Sequence, residues 1–201
     1  PRFYDVTQGA IYVDGVNVKD VTQHELRDHI GYVPQKGTLF TGTIESNLRY
    51  AKEDATEEEL AKAAEIAQAL EFIEEKPERY ETAITQGGTN VSGGQRQRLS
   101  IARALVKKPE IYIFDDTFSA LDFKTDAKLR KALNILCQET KSTVLLVAQR
   151  ISSIMHAERI VVLDKGRVAG IGTHDELMRS CEVYQEICSS QFSKEEVGHH
   201  A

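Results

Sequence analysis

Val91-Ser-Gly-Gly-Gln95, running straight into Arg96-Gln-Arg-Leu-Ser-Ile-Ala-Arg-Ala104, and then Ile111-Tyr-Ile-Phe-Asp-Asp116 carry the architecture of this chain. The first is a glycine-rich break followed by a basic helix from about Gln95 to Lys107, stopped by Pro109. The second is a continuous apolar strand that ends on two carboxylates. Gly93 and Gly94 let backbone approach a ligand, the amides of a helix start point outward toward an anion, and Ser92 adds a hydroxyl donor. A Ser-capped helix after a glycine turn is the plainer reading of the same residues. Open α/β sheets bind ligands beyond the carboxyl ends of their strands. Asp115 and Asp116 there are hard oxygen donors suited to Mg²⁺ on a phosphate, or simply polar residues where a strand leaves the core.

Upstream, Gly9 to Val18 alternates apolar and polar residues around Asp14-Gly15, a hairpin signal. Thr22-Gln-His-Glu25 is a capping box for a short helix to about His29, and Ile30 to Val33 is a strand halted by Pro34. From Thr38 to Pro109 the pattern is helical. Thr56-Glu-Glu-Glu59 forms another box, and Leu60, Ala63, Ala64, Ala67, Leu70 and Ile73 share one face. Downstream come a helix around Asp126 to Glu139, a buried-type strand from Thr143 to Ala148, and strands Ile160 to Leu163 and Arg167 to Ile171. Thr173-His-Asp-Glu176 caps a closing helix. Apolar strands separated by helices predict an α/β fold with a parallel sheet. The expected layout is a core of residues 1–37 and 110–191, a helical lobe of 38–109 and a flexible polar tail of 192–201.

The 201 residues are 41% hydrophobic and 28% charged, which argues for a packed domain rather than a disordered chain. A net charge of -6 argues against nucleic acid as a partner. No apolar run approaches the roughly 18 residues of a membrane span, and the opening residues lack the pattern of a secretory signal. Cys137, Cys181 and Cys188 have neither CxxC nor zinc-finger spacing and read as reduced thiols.

Gln35, Ser92-Gly-Gly-Gln95, Ile111-Tyr-Ile-Phe-Asp-Asp116, Ser119-Ala-Leu-Asp122 and Ala148-Gln-Arg150 stand in the order found in ABC-transporter nucleotide-binding domains. The resemblance extends from Phe3-Tyr-Asp5 to Gly172-Thr-His-Asp-Glu-Leu177. Leu39-Phe-Thr-Gly-Thr-Ile44 with Asn47-Leu48 resembles the exporter branch. This likeness implies a P-loop NTPase-like (RecA-like) parallel sheet core, an inserted α-helical subdomain and an antiparallel β hairpin at the N-terminus. It implies ATP and Mg²⁺ as well. Gln35 resembles the Q-loop glutamine that links Mg²⁺ and nucleotide to the helical lobe, and Asp115 the Walker B carboxylate that holds Mg²⁺ through water. Ser92, Gly93, Gly94 and Gln95 resemble the signature motif, which binds the γ-phosphate of ATP held by the other domain of a head-to-tail pair. Asp122 resembles the D-loop aspartate at that interface, whereas Tyr32 is expected only as a strand residue.

Three departures from the family pattern matter. No G-x-x-x-x-G-K-[S/T] phosphate loop occurs in the chain. The family places that loop just upstream of Phe3, so the chain resembles a domain cut after its P-loop helix. It is then expected to bind nucleotide weakly by itself and to expose apolar strand edges. Asp116 stands where the family has a water-polarising Glu and is shorter by one bond, about 1.5 Å. Gln149 replaces a histidine and carries no proton near pH 7. Together Asp116 and Gln149 resemble the degenerate half of a heterodimeric exporter, sited on the cytoplasmic face of the cell membrane beside a transmembrane domain. Competing readings are tolerated variants of an active homodimer, a soluble ABC ATPase, and a non-catalytic interaction module.

Overall fold

Asp14 and Gly15 both take positive φ, 48° and 79°, as a two-residue turn between right-twisted strands requires. They join β1 (Tyr12–Val13) to β2 (Val16–Asn17) in the expected antiparallel hairpin. This computed structural model describes residues 1–198, which pack as two compact units meeting in sequence at Val147 and Ala148. After the hairpin, Thr22 caps α1 (Gln23–Asp28) by accepting from the Glu25 amide, so half of the expected box forms. β3 (Ile30–Val33) follows with the bounds read from the sequence.

The helical stretch opens with β4 (Gly42–Thr43) and α2 (Ile44–Arg49). Thr56 and Glu59 close a complete capping box on α3 (Glu57–Ile66). The apolar face from Leu60 to Ile73 is buried except at half-buried Leu70, but it lies on two helices. Gln68 turns left-handed at φ 57° and starts α4 (Leu70–Glu74) in a new direction. β5 (Ala83–Ile84) pairs with β4, and Ser92 then caps α5 (Gly93–Val106).

β6 (Ile111–Asp115) is the middle strand of a three-stranded parallel sheet, between β3 and β7 (Thr143–Val147), with α6 (Phe123–Thr140) between β6 and β7 in the chain. One apolar cluster joins Val33 on β3 and Tyr112 and Phe114 on β6 to Ile44, Leu60, Leu99 and Leu129 on the helices. It spans both sides of the expected 38–109 boundaries. β7 departs from its expected burial: Val144, Leu145 and Val147 are 39%, 52% and 53% exposed. Its only strand partner among the described residues is β6, so β7 is an edge strand, and its faces are only partly covered, unlike those of a strand with helices over both.

The second unit contains α7 (Ile151–Ile154), the antiparallel pair β8 (Ile160–Asp164) and β9 (Arg167–Gly172), α8 (His174–Ser180) and α9 (Glu182–Gly198). Thr173 and Glu176 form the expected capping box. Its core is Ile151, Ile160, Val162, Leu177 and Tyr184 with the thiols of Cys181 and Cys188. The segment expected as a loose tail from 192 continues the α9 helix to Gly198, and His199 to Ala201 lie outside the described residues.

Lys108 and Lys52 reach the Glu59 carboxylate at 2.7 and 2.8 Å and, with the Thr56 amide, hold its pKa down at about 2 against an ordinary 4.5. A depressed carboxylate stabilises the fold above its unfolded value and loses that contribution as pH falls through the folded one. The melting temperature of Glu59→Gln should therefore fall less steeply than wild type between pH 4.5 and pH 2, with the two curves converging near pH 2. Parallel curves across that range would show that Glu59 does not carry the effect.

Candidate functional site

Ser92 is exposed at the head of the 14-residue helix α5. Its Oγ accepts from the Gln95 amide at 3.2 Å, and Gln95 Oε1 accepts from the Ser92 amide at 3.1 Å. The box leaves the Ser92 hydroxyl proton unused by the cap. The Gly93 and Gly94 amides belong to the first turn, where no intrahelical acceptor exists. A Cβ at Gly93 would meet nothing within 4 Å, and one at Gly94 would meet only the Ala120 carbonyl at 3.7 Å. Neither glycine has positive φ. Among the described residues nothing requires glycine here, and without side chains the amides of this first turn stay open to close approach.

The second cluster forms at the carboxyl ends of β3 and β6. Their register sets Tyr32 opposite Ile113 and Val33 opposite Phe114. Tyr32 Oη donates to Asp115 Oδ2 at 3.0 Å, and Gln35 Nε2 donates to Asp116 Oδ2 at 2.9 Å. Burial first, and then the bond to Asp115, push the Tyr32 phenol up, so the hydroxyl stays protonated as the donor at neutral pH. Thr117, fully buried, donates its hydroxyl to the Val33 carbonyl at 3.1 Å and pins the turn after β6 onto β3. Asp116 sits in that turn at φ 46°, 7% exposed, with its amide donating to the Val147 carbonyl at 3.0 Å. A left-handed aspartate costs about 1–2 kcal/mol, and the surrounding bonds hold it there.

Asp122 is exposed and caps α6, accepting from the Thr125 amide at 2.9 Å, and this bond holds its carboxyl below the ordinary value. The 119–122 turn lies beside the α5 head through the Ala120 carbonyl near Gly94. Gln149 belongs to the second unit, where it is exposed and its carbonyl accepts from Gln191 Nε2. The structure thus brings together Gln35, Asp115 and Asp116 in one cluster, and Ser92 to Gln95 with the Ser119 to Asp122 turn in another. Tyr32 is the residue that sequence reasoning missed. Its signal was weak, a tyrosine one residue from the end of a strand whose partner ends in carboxylates.

Among the described residues, no three His, Cys, Asp or Glu side chains stand together as a self-sufficient metal cage. Mg²⁺ does not need one, because it takes one or two protein oxygens and fills its octahedron with phosphate oxygens and water. Asp115 offers a carboxylate. Gln35, with Nε2 committed to Asp116, has Oε1 left as an oxygen donor. This donor set fits Mg²⁺ arriving with a phosphate.

A parallel α/β sheet with paired carboxylates at its strand ends, and a glycine-headed helix beside it, is consistent with a P-loop NTPase-like domain. The family model for ABC transporters matches residues 2–119, and the chain belongs to that family. It is 44% identical to an uncharacterized ABC transporter ATP-binding protein of Mycobacterium tuberculosis, over 98% of this chain and 34% of the relative. It is also 44% identical to an ATP-dependent lipid A-core flippase of Desulfotalea psychrophila, over 95% of this chain and 33% of the relative. The solved structure of a bacterial Atm1-family ABC exporter with ATP bound superposes with a TM-score of 0.90 at 38% identity, over 94% of this chain and 33% of that one. The chain spans about a third of the length of the curated relatives it matches.

The hydroxyl of Tyr32 bonds a charged acceptor, a contact of about 1.5–3 kcal/mol. A double-mutant cycle of Tyr32→Phe with Asp115→Ala in urea unfolding should return a coupling of that size. Additive single effects would mean that the bond does not form in solution.

Proposed function

We propose that this chain is the ATP-binding region of an ABC exporter, coupling ATP binding and hydrolysis to export of a substrate across a membrane. The observation that carries this reading is the exposed head of α5, where the Ser92 hydroxyl and the Gly93 and Gly94 amides face outward from a closed cap. In this role Ser92, Gly93, Gly94 and Gln95 grip the γ-phosphate of ATP held by a second nucleotide-binding domain, paired head to tail, with Asp122 at the shared interface. Residues 1–37 and 110–191 form the ATP-binding core, and residues 38–109 the lobe that presents the signature. The flippase and exporter among its relatives favour a transmembrane domain as the other partner, with this region on the cytoplasmic face.

At the chain's own site, Asp115 and Gln35 hold Mg²⁺, which when bound neutralises phosphate charge. Asp116 stands where attacking water must be polarised. Its carboxylate is short, buried and already engaged by Gln35 Nε2, so it reaches poorly toward a water beyond the strand ends. Gln149 adds no titratable group to this chemistry. Asp116 and Gln149 thus favour a degenerate site whose partner does most of the hydrolysis in a heterodimer. The 201 residues span about a third of the relatives' length, and the full-length protein is the form in which this site is tested.

In the full-length protein with its partner, Ser92→Ala should lower ATP turnover at the partner's site by about 10²-fold, the scale of one lost donor to developing charge. Unchanged turnover would remove the basis of the assignment. Asp116→Glu combined with Gln149→His should raise total turnover by about 10- to 100-fold, since a reach error near 1 Å costs on the order of 100-fold. No rise would favour an ordinary active site with tolerated variants.

A further inference from the structure

Gln97 is an amide in the apolar interior, 2% exposed, on the α5 helix headed by Ser92. Both ends of its side chain are committed to one loop. Oε1 accepts from the Gly37 amide at 2.7 Å, and Nε2 donates to the Pro34 carbonyl at 3.1 Å. Pro34 and Gly37 bracket Gln35. The loop lies so close to the helix that a Cβ at Gly37 would stand 2.7 Å from Ser100 Oγ, 2.8 Å from Gln97 Oε1 and 3.1 Å from the Arg96 carbonyl. Arg103, six residues farther along α5, donates to the Thr38 carbonyl at 2.8 Å and straps the same loop a third time. From the loop's other side Gln35 donates to Asp116 Oδ2.

These contacts form one continuous path: the Ser92 head, a rigid helix, the Gln97 amide, the 34–37 loop, Gln35 and Asp116. Ser92 and Gln97 are five residues apart, about 7.5 Å along the helix axis. The bonds from Gln97, at 2.7 and 3.1 Å, are lost if the spacing opens much beyond 3.5 Å, so a shift of α5 by about 1 Å must be followed by the loop. A buried amide that left the loop would also lose two hydrogen bonds in an apolar setting, which favours the loop moving with the helix.

We propose that Gln97 is a positioning residue that couples the two ends of this path: a phosphate engaged at Ser92 sets the placement of Gln35 against Asp116, and hence nucleotide affinity at this chain's own site. This rests on the reading of Ser92 as the grip on a partner's ATP. Coupling of this kind is reciprocal in binding free energy, so the partner's site feels the own-site nucleotide equally.

The test uses the full-length protein with its partner and a fluorescent ADP analogue bound with Mg²⁺ at this chain's own site. Ser92→Ala should shift that affinity by about 5- to 150-fold in otherwise native protein, the usual range for coupled sites. In the Gln97→Leu background the same substitution should shift it by about 2-fold or less. A Ser92→Ala shift of equal size in both backgrounds would overturn the coupling role and leave Gln97 as a packing residue. Loss of stability in Gln97→Leu without loss of the Ser92 dependence would do the same. Hydrogen exchange at the Gly37 amide gives a readout without any change at position 97. A slowly hydrolysed ATP analogue should slow that exchange in native protein and leave it unchanged in Ser92→Ala, and equal slowing in both overturns the proposal. If Ser92→Ala leaves the partner's ATP turnover untouched, it is the signature reading itself that fails.

Discussion

The parallel pairing of β3 with β6 is the constraint on which the site depends. With Tyr32 opposite Ile113, β6 runs one residue past the end of β3, and Tyr32 and Gln35 are carried to Asp115 and Asp116. A slip of one residue in this register would turn each side chain to the other face of the sheet and separate all four. Two features resist such a slip. Val33 and Phe114 at the ends of the strands have no exposed surface, and the buried Thr117 hydroxyl ties the turn after β6 to the Val33 carbonyl. The site therefore inherits its precision from the core beneath it.

The α5 helix has two duties that are usually separate. Leu99, Ile101 and Ala102 on its inner face are fully buried in the main apolar cluster, which fixes the helix against the sheet. Its first turn is bare backbone and hydroxyl, open to an anion. Because the inner face allows little movement, the head is presented in a defined place. Gln97 is where the two duties meet, a polar side chain on the buried face that holds the loop carrying Gln35. In the proposed exporter, this lets a helix that contacts one nucleotide also influence the residues around another.

Much of this was legible locally. The turn at Asp14-Gly15, the capping boxes at Thr56 and Thr173, and the bounds of β3 depend on residues within a few positions of one another, and their patterns read correctly. The apolar face from Leu60 to Ile73 was visible too, but its break at Gln68 was not, since helical spacing persists across a single left-handed residue. β7 misled for a different reason. Continuous Val and Leu imply cover on both faces, while their actual exposure depends on what packs over those faces.

By itself the sequence determined the order of strands and helices, the glycine-headed helix at Ser92, and the carboxylates at Asp115 and Asp116. Each is a matter of residue type and short spacing, which the chain displays before it folds. Only the tertiary structure decided that Tyr32 is the donor to Asp115, that Gln35 is spent on Asp116, and that Gln97 clasps the loop between Pro34 and Gly37. Those pairs lie 60 or more positions apart along the chain. Their geometry comes from sheet register and from the seating of α5 in the core, which follow from how remote apolar surfaces fit together rather than from any local pattern.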